Sequence, residues 1–393
     1  MKLRYPDYYE KFSCIADRCE DTCCAGWEID IDDDSYGYYM QVPGKFGERI
    51  RDSIKEYQTD EEEAYECHGF ILSEGKRCPF LNENNLCDMI LELGEDALCD
   101  VCTYTPRNFL EYGNTREISI SPSCAEAGRL IFGSRKKTGF VEREIPEELD
   151  FAESTEELEI AAVVKNARDT TIGILQNREK EIRQRICDFL IYAKEVQSCL
   201  NKNKTEQIPY HNIKEVIGEK RKELSGLTEK KKDLFLYFQK RMKSFNELDC
   251  VNDEWGNYLE RLGILFLEEE KGQRRYEAAL ERFCIYMREK DMEYLWEQLM
   301  VYYAFLFLAR CVDGLNFWGK AQFCVCSFLM IQDMALERFY QNGESFIMED
   351  CVDIARIYAK EVEHSQENLE FLEEEFLFED VYQLEALWVQ ILQ

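Results

Sequence analysis

"LMVYYAFLFLARCV", residues 299–312, is the strongest apolar stretch of the chain, and the fold class turns on how it is read. It is shorter than the ~18–20 apolar residues a membrane span needs, and Glu297 and Asp313 bound it. It therefore reads as a helix buried in a globular core. Its surroundings agree. "RRYEAALERFCIYMREKDMEYLWEQ" runs into it, and "WGKAQFCVCSFLMIQDMALERFYQ" and "EDCVDIARIYAKEVEHSQENLEFLEEEFL" follow. Further upstream, Val164, Ile172, Leu175, Ile182, Ile186, Phe189 and Leu190 recur at spacings near three and four, the period of an amphipathic helix. The expected fold is mainly α.

Composition supports this. The chain has 393 residues but only 7 prolines and 20 glycines, which favours long regular elements. Its formal net charge of −31 repels phosphate backbones and anionic lipid surfaces, so neither nucleic acid nor a membrane is an expected partner. The same field attracts a basic protein or a cationic ligand, or simply keeps the protein soluble. The opening "MKLRYPDYYEKF" lacks the apolar run of a secretory signal. A cytoplasmic location is expected.

The composition shifts near residue 140. The expected organisation is a cysteine-rich, metal- or iron–sulfur-binding domain at 1–140, built of short elements and packed on an all-α helical domain at 141–393. A polar, basic stretch at 201–232 reads as a loop excursion between helices. No fixed-period repeat is visible.

Ten of the 18 cysteines precede residue 125. In a reducing compartment such a set is not a disulfide framework. "CIADRCEDTCCAGW", 14–27, carries four of them. If Cys19 and Cys23 share a helical turn, their Cβ atoms stand about 5–6 Å apart, with Cys24 pointing about 100° away, to serve another shell or simply to pack. In "CPFLNENNLC", 78–87, Pro79 ends any helix and "NENN" turns the chain, bringing Cys87 back toward Cys78 as in a knuckle. "CDVCTYTPR" supplies Cys99 and Cys102, and Cys124 in "SPSCAEAGRL" sits near a helix start. With just three histidines in the chain, a thiolate-only site is expected, and soft thiolates select zinc or an iron–sulfur cluster. Spacing alone leaves both open. The C-x3-C-x2-C signature of radical chemistry is absent, because Gly26 occupies its last slot. Cys187, Cys199, Cys284, Cys311, Cys324, Cys326 and Cys351 fall on apolar helical faces and read as packed core thiols.

Other motifs read as structure. "DIDDDSY", 30–36, lacks the glycine and the closing glutamate of a calcium loop and reads as a charged cap or turn. Arg107 and Arg129 read as salt-bridge partners before carboxylate clamps. His364 reads as surface beside a stripe of Val362, Leu369 and Leu372. No strand leads into a G-x-G-x-x-G turn, so the usual Rossmann-like methylase core is not visible.

Taken together, "CEDTCCAGWEIDID", "CPFLNENNLCDMILELGEDALCDVCTYTPRNF", "SPSCAEAGRLI" and the tail "AKEVEHSQEN" resemble the flagellin lysine-N-methylase family over nearly the whole chain. The resemblance implies methyl transfer from S-adenosylmethionine to lysine side chains of flagellin before export, with an iron–sulfur cluster, of 4Fe-4S type, on the cysteines. Matching positions are Cys14, Cys19, Cys23 and Cys24, then Cys78, Cys87, Cys102 and Cys124. Cys67 and Cys99 fall outside the family's pattern. Eight thiols exceed the four that one cubane needs, so some are structural or there are two sites. Trp27, Tyr104 and Arg107, with Glu20, stand beside the thiols as candidates to hold the donor, whose sulfonium suits an acidic, aromatic wall. The general base is not identifiable from sequence. The alternative function is a non-enzymatic, zinc-stabilised adaptor whose acidic helices dock a protein partner.

Overall fold

The computed structural model describes residues 1–58, 66–146, 154–228, 234–251, 253–267 and 271–392. The fold is mainly α, with helix following helix from Thr155 to Leu392. Seven strands accompany them: β1 (Lys2–Pro6), β2 (Asp30–Ile31), β3 (Ile54–Gln58), β4 (Glu66–Phe70), β5 (Arg107–Tyr112), β6 (Thr115–Ile120) and β7 (Phe140–Glu144). The chain divides into two compact units. A cysteine unit holds residues 11–108 and 120–127; a helical unit holds 1–10, 109–119 and 128–393. This differs from a single cut near residue 140. The chain leaves the cysteine unit at 108, contributes a hairpin to the helical unit and returns for eight residues that include Cys124. No local signal marks that return, because β1 finds its partners, β6 and β7, more than a hundred residues away in sequence.

In the helical unit, Tyr294–Leu308 packs on Phe317–Gln341 and Thr155–Leu175, and Phe317–Gln341 packs on Ile182–Asn201. The apolar stretch is the core helix expected: every residue from Leu295 to Leu308 is buried. Helix starts are capped where the sequence offers a cap. Ser154 and Glu157 form a reciprocal capping box, and the Asn316 and Ser365 side chains accept from Gly319 and Asn368 amides, satisfying donors that would otherwise have no partner. The sheet order is β5-β6-β1-β7. Glu117 of β6 is buried there and takes both Arg168 nitrogens, one at 2.7 Å. Arg178 and Arg185 likewise meet buried Glu297, and Arg241 meets Asp333, which also accepts from Tyr276 at 2.8 Å. Burying a carboxylate is costly unless it is paired or hydrogen-bonded.

The stretch 201–232 departs from expectation. Residues 229–232 lie outside the described residues, but Ile213–Thr228 is a helix. Ile217 and Leu224, seven apart, are buried beneath its lysines. Arg221 and Lys180 converge on buried Asp188. The basic run hides an apolar stripe with a buried anion as anchor.

The cysteine unit has its own sheet, in the order β2-β4-β3 and antiparallel throughout. Its core gathers Ile29, Ile31, Tyr39, Ile50, Phe70 and Phe80, with Phe70 and Phe80 edge to face at 5.1 Å. Among the described residues neither sheet is the doubly wound parallel type that carries a Rossmann-like donor site.

Candidate functional site

Residues 19–24 are not a helix. A 3-10 turn at Ala16–Arg18 ends at Cys19, whose backbone is extended. The chain then turns through Cys23 and Cys24 and leaves by Gly26 at φ 96°, a conformation that favours glycine. A helical turn would have carried Cys24 away from Cys19 and Cys23 by rotation. The actual turn instead exposes successive thiols to different neighbours. Trp27 locks it, with Nε1 donating to the Cys23 carbonyl at 2.8 Å.

The knuckle forms as the turn residues require. Asn82 Oδ1 accepts from the Asn84 and Leu86 amides at 3.0 and 3.1 Å, Asn85 takes φ 57°, and Leu81 bridges Cys87. The Cys78 amide donates to the Cys24 carbonyl at 2.9 Å, fastening knuckle to first turn. Cys87 and Cys99 are the N-cap residues of Asp88–Leu93 and Asp100–Tyr104. Cys124 immediately precedes Ala125–Phe132. Asp32 is the cap the sequence suggested. It accepts from Ser35 N at 2.8 Å and, with its other oxygen, from Asp100 N at 2.9 Å. One carboxylate thus starts two helices, and the second carries Cys102.

These devices open onto one cavity of about 570 Å³ inside the cysteine unit. Cys14, Cys19, Cys23 and Cys24 line it, and so do Cys78, Cys87, Cys102 and Cys124. Cys67 and Cys99 are not on its wall: Cys67 lies on β4 and Cys99 is fully buried in the core. Trp27 and Arg107 line it as well, with the Arg107 guanidinium stacked 5.3 Å over Phe12. Tyr104 and Glu20 do not belong to the wall; both are exposed. Three carboxylates, Asp21, Glu95 and Glu126, also line the cavity; reading the sequence placed Asp21 beside the thiols but missed the other two. Adjacency to Cys124 is the one signal that pointed to Glu126.

Burial sets the protonation of these thiols. It pushes Cys78 up to about 12, against amide donations from Phe80 and Leu81. It raises Cys87 and Cys124 too, again against amides of the helices they begin. Cys24 alone on the wall is lowered, to about 6, by the hydrogen bond from Cys23, the Thr22 hydroxyl and the Arg77 charge; Cys23 rises correspondingly. Buried thiols that already receive amide hydrogen bonds are arranged for thiolates, yet cannot ionise together without a cation. All eighteen cysteines are free. The donor set therefore fits a thiophilic metal centre. Among the described residues no three Cys, His, Asp or Glu side chains close on one point as the ligands of a single bare ion do; the thiols are spread round the wall.

The remaining sequence candidates have structural roles. Arg129 pairs with Glu349 at 3.0 Å, and His364 is exposed. Cys187, Cys199, Cys311, Cys324, Cys326 and Cys351 are buried core thiols; Cys284 is only half-buried and accepts from Arg183 at 3.0 Å. A feature with no sequence signal is the π-helical turn Ala359–Glu363. It buries the Glu363 carboxylate between the hydroxyls of Tyr302 and Tyr303, at 2.6 and 2.9 Å.

Residues 168–390 match the family model described as the FliB lysine N-methylase C-terminal domain. That range lies in the helical unit, so the cysteine cavity is outside it. Among curated proteins, the chain is 28% identical over 141 residues to a lysine-N-methylase of Salmonella typhimurium, covering 36% of this chain and 35% of that protein. It is 30% identical over 127 residues to the flagellar biosynthetic protein FliU of Salmonella muenchen, covering 32% and 74%. A lysine-N-methylase of Salmonella choleraesuis matches as the first does, 28% over 141 residues and 35% of its length. The chain thus spans about a third of the length of the two lysine-N-methylases it matches. No solved structure matches.

Proposed function

The chain belongs to the FliB lysine N-methylase family, and from that premise we propose that it is a protein-lysine methyltransferase acting on flagellin in the cytoplasm, with S-adenosylmethionine as donor and an iron–sulfur centre on the cysteines. The observation that carries this reading is the single cavity that collects eight cysteines separated by as many as 110 positions. Relatives named as lysine-N-methylases and as a flagellar biosynthetic protein support lysine methylation and a flagellar substrate. A multi-iron cluster is wider than a lone ion, which suits thiols spread round a wall.

Cys14, Cys19, Cys23, Cys24, Cys78, Cys87, Cys102 and Cys124 are the residues that would hold the centre. Bound there, an iron–sulfur group supplies a Lewis acid or an electron source beside the donor. The chain's own residues do the rest. Trp27 and Phe12 offer aromatic faces to the cationic sulfonium, and Arg107 offers its guanidinium to the donor's carboxylate. The incoming lysine, with a pKa near 10.4, is almost wholly protonated at neutral pH. Asp21, Glu95 and Glu126 are the carboxylates on the wall that can receive its ammonium hydrogens. Ile90, Leu91 and Val101 line the same cavity and are exposed, giving the substrate chain an apolar rim.

The test is incubation of anaerobically purified protein with flagellin and methyl-labelled S-adenosylmethionine, followed by mass spectrometry of the lysines. Label on flagellin lysines is expected. A colourless protein with stoichiometric zinc and no transfer would favour the adaptor instead.

A further inference from the structure

The rim of the cysteine cavity carries apolar side chains that the core does not use. Ile90, Leu91 and Val101 line the cavity, yet they are 37%, 60% and 42% exposed. The same short elements serve the core through Met89 and Cys99 instead. Single exposed aliphatic residues are ordinary; several around one cavity form a patch of the kind that meets a partner. The rim is also held from beneath. Asp88, at the start of Asp88–Leu93, accepts from Arg49 at 2.8 Å and from Asn82 at 2.9 Å. Tyr39 donates to the Ala97 carbonyl at 2.8 Å, fixing the turn Glu95–Ala97, and Asp32 holds the start of the helix that carries Val101. A surface fixed in this way loses little freedom on binding.

Glu95 stands in the chain between the two rim helices. It lines the cavity and is exposed, whereas Asp21 and Glu126 are half-buried on the wall. Among the described residues its carboxylate has no ion pair. A ligand that suits this arrangement brings a cation with aliphatic groups beside it. A second copy of the chain does not suit it, because two bodies of net charge −31 repel.

We propose that this rim reads the residues next to the target lysine: Glu95 takes the ammonium group on entry, while Ile90, Leu91 and Val101 cover an aliphatic side chain beside it in the substrate sequence. The preferred substrate segment therefore has lysine next to leucine, isoleucine or valine, and a lysine among polar neighbours is a poor one. This rests on the methyltransferase reading above and deepens it from lysine in general to lysine in an apolar setting.

The probes are fluorescein-labelled peptides of one sequence, with a central lysine flanked on both sides by leucine or on both sides by serine. Their binding to the full chain is followed by fluorescence anisotropy. The leucine peptide is expected to bind about tenfold tighter, the discrimination that a small apolar contact gives. In the double variant Leu91→Ser with Val101→Ser, shown to be folded by circular dichroism, the ratio is expected to fall below about threefold. Equal binding of the two peptides to the wild type, or a ratio that survives in the double variant, overturns the proposal. Norleucine in place of the lysine keeps the aliphatic stem and removes the ammonium. The preference for lysine over norleucine is expected to drop about threefold from wild type to Glu95→Gln, the size of one exposed ion pair. An unchanged preference overturns the assignment of Glu95. Sedimentation tests the other occupant: a wild-type dimer that becomes a monomer in the double variant gives the rim to a second copy and overturns the proposal. Failure of the broader reading looks different. Discriminating binding with no methyl group transferred to flagellin removes the activity and leaves the docking site. Transfer to flagellin without discrimination removes the docking site and leaves the activity.

Discussion

The amide of Cys78 donates to the carbonyl of Cys24 across 2.9 Å, joining residues 54 positions apart in the sequence. The bond fixes the backbone at Cys24, whose thiol is hydrogen-bonded to that of Cys23, one residue earlier. The chemistry of the cavity depends on that junction.

Cys24 is expected to be the early-ionising thiol of the metal-free protein. Its alkylation rate, followed by peptide mass spectrometry, should inflect near pH 6 rather than near the ordinary ~8.5 of a free thiol. Replacing Arg77 by Gln removes a nearby positive charge and should move the inflection upward. An inflection that stays near 8.5 in the wild type would contradict the arrangement of Cys23, Thr22 and Arg77 around it.

Asp32 starts two helices with one carboxylate. Asp32→Ala should destabilise the cysteine unit by about 1–3 kcal/mol, the range for one or two lost caps, and speed metal loss to a chelator. Asp32→Asn keeps one of the two acceptor oxygens and should cost less. Equal chelation rates in all three proteins would show that the cap does not support the Cys102 helix.

The buried pair of Arg168 and Glu117 ties β6 to the Thr155–Leu175 helix. Arg168→Ala leaves a carboxylate at 2% exposure with Arg4, at 3.6 Å, as the nearby cation left to offset it. A loss of about 3 kcal/mol is expected, at the low end for a broken buried pair. Pairing Arg168→Met with Glu117→Gln should restore part of it. Urea unfolding of the three proteins measures this.

Glu363 carries a pH dependence of known sign. Burial pushes its carboxyl up to about 7, although Tyr302 and Tyr303 hydrogen bonds and Arg310 pull it down. The folded protein therefore holds this proton more tightly than the unfolded chain, where glutamate titrates near 4.3. Its favourable contribution is complete below about pH 4 and is lost as pH rises through 7, on the order of 3 kcal/mol in all. Glu363→Gln should flatten that component between pH 5 and 8, relative to wild type, in thermal unfolding. A wild type and variant with parallel pH profiles would refute it.

Much of this protein is set by local sequence. Periodicity is enough for the helices, because a buried stripe every three to four residues is a property of neighbouring positions, and so "LMVYYAFLFLARCV" reads as core. The caps at Asp32 and Ser154 and the turn at "NENN" are equally local. The eight cavity cysteines were legible through a family resemblance together with their clustering, not through geometry. Tertiary structure alone decided three things. It buried a stripe beneath the lysines of Ile213–Thr228, drew the 109–119 hairpin out of the cysteine unit, and placed Asp21, Glu95 and Glu126 on the cavity wall. Each of these depends on which distant segments pair and on which groups lose water when they do. Sequence spacing does not encode such contacts, since the free energy that selects them comes from burial and hydrogen bonding between residues far apart in the chain.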